Sequence, residues 1–145
     1  MTSLSLRTFE LCDAATTRGG FMTVVNSGIN SLSRTSYPAE LKACLAIALE
    51  LSGIDDPYVI EIAVTAHNED DPDVAISPYE WSAEIDPAEI APGFDSVVLN
   101  IAVDARTLIV PASGIYRFEL AANGATLSTM RVIASTVPED AQFAG

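Results

Sequence analysis

The chain has 145 residues, 49% apolar and 19% charged, with 8 Gly, 8 Pro and 2 Cys. That suits one compact domain and excludes a disulfide-framework mini-protein, a disordered tail and a collagen-like chain; at this length no disulfide or metal staple is required. The net charge of −13 is concentrated in the middle third, since residues 51–100 carry twelve acidic groups and no basic one.

Most of the sequence consists of short apolar runs of period 2, separated by Gly, Pro, Asn and Asp. Leu4, Leu6, Phe9 and Leu11 predict a first strand, with a change of face between Leu6 and Phe9 that implies a bulge. Thr16 to Gly20 predicts a turn into a second strand, Phe21 to Asn26, closed by Gly28. Residues 30–38 are polar, end in Pro38, and are expected to be a loop crossing between sheets. Residues 39–51 are ambiguous: Leu41, Ala43, Leu45, Ile47, Leu49 and Leu51 alternate as in a strand, whereas the Ala, Leu, Glu and Lys content also fits a helix between Pro38 and Gly53. The alternation favours a strand.

Tyr58, Ile60, Ile62, Val64 and Ala66 define a half-buried strand, and the acidic segment 68–73 a turn. In the next strand Tyr79, Trp81, Ala83 and Ile85 face one way while Glu80, Ser82, Glu84 and Asp86 face the other. Val97 to Val103 is apolar on both sides and is expected at the centre of a sheet, with Thr107 to Val110 extending that sheet. Ile115 to Leu120 and Leu127 to Ile133 flank Asn123-Gly124, a dipeptide suited to a type I′ hairpin turn. The expected fold is all-β: a two-sheet antiparallel β-sandwich of about eight strands in a single domain over residues 1–136, with a flexible tail over 137–145.

The negative field of the middle third repels phosphate backbones and anionic lipid, so no nucleic acid and no membrane is expected as a partner. No stretch approaches the ~18 consecutive apolar residues of a membrane helix, and Met1 to Glu10 lacks the pattern of a secretory signal. Cys12 and Cys44 read as reduced, packed thiols, which points to the cytoplasm.

Several short motifs follow one another in a telling order: Leu11-Cys12-Asp13, Gly19-Gly20, Asn26-Ser27-Gly28-Ile29, Tyr37-Pro38, Gly114-Ile115-Tyr116-Arg117-Phe118 and Asn123-Gly124. In these, over residues 4–134, the chain resembles a family of small bacterial and phage-associated β-sandwich proteins of unknown function. The resemblance implies a strand over residues 40–51. It brings no catalytic residues, and the acidic segment 68–73 departs from the tight turn usual there.

The residues offer little for catalysis. His67, the sole histidine, is the sole conventional base; it sits at a strand end, where a solvated side chain is the plain reading. One His and two distant Cys make a poor zinc set. Glu69, Asp70, Asp71 and Asp73 are weak calcium candidates because hard cations take several carboxylate oxygens, although a dedicated calcium loop has a different spacing and a solvated acidic turn is the plainer reading. Tyr79 and Trp81 could stack on a sugar ring, or simply join the core. The expectation is therefore a non-enzymatic module without cofactor that binds another protein or itself. The alternative is a ligand-binding module, using the acidic loop for calcium or Trp81 for carbohydrate.

Overall fold

The computed structural model describes residues 2–138. Its strands are β1 (Ser3–Arg18), β2 (Phe21–Ser27), β3 (Ser31–Arg34), β4 (Ala39–Glu40), β5 (Cys44–Ser52), β6 (Tyr58–Asn68), β7 (Ala75–Ile85), β8 (Ser96–Asp104), β9 (Ile109–Val110), β10 (Gly114–Ala122) and β11 (Ala125–Thr136). The chain is all-β among the described residues, apart from one 3₁₀ turn at Pro87–Glu89. The expected eight strands in two sheets become eleven in three: β2-β1-β5-β8, β3-β11-β10-β6-β7, and the ribbon β4-β9. Most of the expected tail, residues 139–145, lies outside the described residues.

The additional elements have local causes. Residues 31–34 were expected to be loop because Leu32 is their one apolar side chain, yet β3 joins the five-stranded sheet with Leu32 buried. It lies parallel to β11, so the sheets are not wholly antiparallel. Residues 39–51 are extended, not helical: strict alternation with a partner strand on each side outweighs helix propensity. The stretch is interrupted at Lys42, whose φ is +55°, and this break separates β4 from β5. β9 then pairs with β4 in its own ribbon instead of prolonging the sheet of β8.

The register of β1 against β5 slips between Leu6 and Thr8, as the change of face implied. Asn123 and Gly124 both adopt positive φ between β10 and β11, as a type I′ turn demands. One hydrophobic cluster joins the two larger sheets. Leu11, Ile47, Leu49 and Leu51 come from the four-stranded sheet, and Ile60, Ile62, Phe118, Leu120 and Val132 from the five-stranded one. Each such apolar side chain contributes about 1.5–3 kcal/mol on burial.

Val97 to Val103 was expected to be central, but β8 is an edge strand and β5 holds the centre. The second apolar face of this region is partly covered by other means. β1 pairs with β5 from Ser3 to Cys12 and with β2 from Cys12 to Arg18. Beyond Cys12 it has left β5, and the β1–β2 hairpin folds back over the outer face of its own sheet. The two ends of that sheet consequently meet, with Asn100 Nδ2 of β8 donating to the Gly20 carbonyl at 2.7 Å.

Small side chains permit this close approach. The outward residues of β5 nearest the hairpin are Cys44, Ala46 and Ala48, all buried although they face away from the main core. Ala15, Met22 and Val24 pack on Cys12, Cys44 and Ala46 as a second, smaller core.

Candidate functional site

The folded-back hairpin stops short of covering the whole sheet and leaves a groove of about 430 Å³. Ala48 and Val98 line it from the sheet, Phe21, Met22 and Val24 from the hairpin, with Arg7, Glu10 and Asn100 also on its walls. Phe21 directly follows the Gly19-Gly20 turn, where both residues have positive φ, and is left 80% exposed. Val98 is 36% exposed. Large apolar groups kept in water beside a polar-rimmed groove are the usual composition of a contact surface. Arg7 also pairs with Glu50 at 3.5 Å.

A second groove, of about 410 Å³, lies on the five-stranded sheet between β6 and β7 and is lined by Glu61, Ala63, Glu80, Trp81 and Ser82, with Gly124 beside them. Trp81 and Tyr79 are both half-buried against the main core. The burial of Tyr79 raises its phenol pKa. The core reading thus accounts for much of their surface, and Trp81 alone of the two also borders a groove.

The acidic turn is occupied with its own structure. Glu69 takes a two-pronged contact from Arg131, at 2.8 Å to each carboxylate oxygen, which lowers its pKa. Asp71 Oδ1 accepts from the Asp73 backbone N–H at 3.2 Å, and the Asp70 N–H donates to Asn68 Oδ1. The four calcium candidates are not brought together around one point: among the described residues no three or more His, Cys, Asp or Glu side chains form a group able to hold a metal ion.

His67 is exposed, with Nδ1 3.2 Å from the Pro72 carbonyl and Arg117 opposite it on β10. Cys12 and Cys44 are buried free thiols, and they are direct partners across β1 and β5. At the far end of β8, Arg106 donates two side-chain hydrogen bonds to Asp104, lowering the Asp104 carboxyl to about 2 and raising the arginine.

Residues 7–134 match the profile of a family of unknown function, DUF6941. The chain belongs to that family. The match falls on the stretch over which the sequence resembles a family without known function. No curated protein matches the chain.

The groove of this DUF6941 protein is not legible in the sequence because it depends on the hairpin folding back, and no periodicity reports that. Two signals for it were nevertheless present. Cys44, Ala46 and Ala48 are all small on one face of a strand, and Phe21 directly follows a glycine turn. Among the described residues no helix is long and apolar enough to cross a membrane.

Proposed function

We propose that the protein is a non-enzymatic protein-interaction module which receives its partner, another protein or a second copy of itself, in the groove between the β1–β2 hairpin and the β5–β8 face. The observation that carries this reading is Phe21, a large aromatic ring held in solvent at the border of a groove that Ala48 and Val98 also line. Aromatic anchors beside a pocket are where binding energy concentrates. The core shared by the two larger sheets supports reading them as the layers of a sandwich, which serves as a rigid mount for the groove. The buried free thiols favour a cytoplasmic setting, and the negative field disfavours nucleic acid and membrane as partners. The bacterial and phage association of the resembling family belongs to the same reading.

The test is light scattering of the purified protein at high concentration together with affinity capture from the native host, each repeated with Phe21→Ser. Loss of a hot-spot aromatic costs about 2 kcal/mol or more, so association is expected to weaken roughly 30-fold. A protein that stays monomeric and retains nothing in a Phe21-dependent way contradicts the proposal.

A second reading rests on Trp81, which borders the other groove although its register with Ile62 puts it on the face of β7 opposite Glu80 and Ser82: the part of its ring left in solvent is an aromatic surface on which a sugar can stack. Thermal-shift measurements with a glycan panel, repeated on Trp81→Ala, separate the two readings. A glycan-induced rise lost in that variant supports carbohydrate binding, and no rise with any glycan removes it.

A further inference from the structure

Both cysteines lie where the β1–β2 hairpin parts from β5. Cys12 and Cys44 are Cα partners across antiparallel β1 and β5, so their side chains stand on the same outward face. Residues directly opposite in an antiparallel pair have Cα atoms about 4.5 or about 5.5 Å apart, depending on which kind of pair they form. Both values fall within the span of a disulfide, about 4.4–6.8 Å. The two thiols are free, share one buried cluster, and Cys12 Sγ lies 3.5 Å from the Cys44 carbonyl oxygen.

We propose that Cys12 and Cys44 form a reversible dithiol–disulfide site that reacts with low-molecular-weight disulfides of the glutathione type. One cysteine thiolate attacks the oxidised reagent, forming a mixed disulfide and releasing one reduced thiol. The second thiolate then attacks the protein sulfur of that mixed disulfide, closing the Cys12–Cys44 bond and releasing the second thiol. The protein loses two electrons and two protons, and the reagent gains both.

The surroundings set the conditions. Burial, and the neighbouring Cys44, raise the Cys12 thiol above its ordinary pKa, so it is a poor nucleophile while covered. Met22 and Val24 form part of that cover, and reaction therefore waits on local opening of the β1–β2 hairpin. Once closed, the bond ties β1 to β5 at the last residue they share, beneath the hairpin that bears Phe21. Such a site acts independently of what the groove binds.

The experiment is intact-mass spectrometry of the full chain after incubation with oxidised glutathione and alkylation of remaining thiols. The expected product has lost two hydrogen atoms and takes no alkyl group, whereas Cys44→Ala retains one glutathione on Cys12. Wild-type protein carrying stable glutathione adducts overturns the proposal, as does wild-type protein in which both thiols are alkylated but not joined. Should the folded protein resist every reagent, refolding from denaturant in a glutathione redox buffer removes access as the cause. A folded product with the Cys12–Cys44 bond then supports the proposal, and a folded product with two free thiols overturns it.

Discussion

Replacing Ala46 by leucine tests whether the outer face of β5 is truly roofed. Ala46 sits opposite Glu10 on β1 and Ala102 on β8, is 0% exposed, and has Met22 and Val24 packed against its cluster. Ala46→Leu inserts three further carbon atoms into closed space. Overpacking of that kind costs about 1–3 kcal/mol. For a chain near this length each kcal/mol moves the melting temperature by about 2–4 °C, so a fall of roughly 2–12 °C is expected. Were the same face open to solvent, the substitution would change stability by no more than about 0.5 kcal/mol. Calorimetry measures the fall, and hydrogen exchange locates it: amides of Phe21–Ser27 should exchange faster while those of Gly114–Ala122 hold. An unchanged or higher melting temperature, with β2 protection intact, refutes the folded-back hairpin.

Phe21→Ser should leave thermal stability within about 0.5 kcal/mol, because the ring is mostly in water; a larger loss would make Phe21 structural and weaken its role as an anchor. Gly114→Ala should destabilise by about 1–3 kcal/mol from backbone strain alone, since Gly114 has φ +134°. An added Cβ there would also lie 2.6 Å from Asn68 Nδ2, an amide already fixed by the Ser113 carbonyl, and urea titration reads the combined effect. Asp104 has its folded pKa lowered to about 2 by Arg106, so its contribution to stability is present above the ordinary carboxyl value of about 3.9 and is lost as pH falls toward 2. Arg106→Ala should return that titration, followed by carboxyl NMR, toward the ordinary value and shrink the stability change across this pH window; an unmoved titration contradicts the assignment.

Much of the all-β architecture was written in side-chain alternation. Ile60, Ile62 and Val64 are buried on one face of β6, the bulge in β1 follows the switch from Leu6 to Phe9, and Asn123-Gly124 makes the turn its chemistry requires. What alternation conceals is anything set by long-range contact. β3 is a strand because β11 offers it a parallel edge, not because Ser31-Leu32-Ser33-Arg34 has a strand pattern. The doubly apolar Val97 to Val103 suggested a central position, whereas its second face is partly sheltered by a hairpin from the far end of the sheet. The candidate groove is a product of that same contact, so Phe21 and Val98 could not be paired from sequence, while Trp81 could be singled out but not assigned to a rim. The acidic turn illustrates the converse: four carboxylates within five residues invite a cation, yet Glu69 turns to Arg131 on β11 and Asp71 to the backbone N–H of Asp73.

Methyl-resolved NMR gives the most direct test of the account, since the groove exists only if the hairpin lies on its own sheet. Nuclear Overhauser contacts are expected from the Met22 and Val24 methyls to Ala46, with the Asn100 side-chain amide protected by its bond to the Gly20 carbonyl. A spectrum lacking those contacts, with the Met22 and Val24 methyls as solvent-accessible as Val25, would mean that the hairpin projects into water and that no such groove is formed.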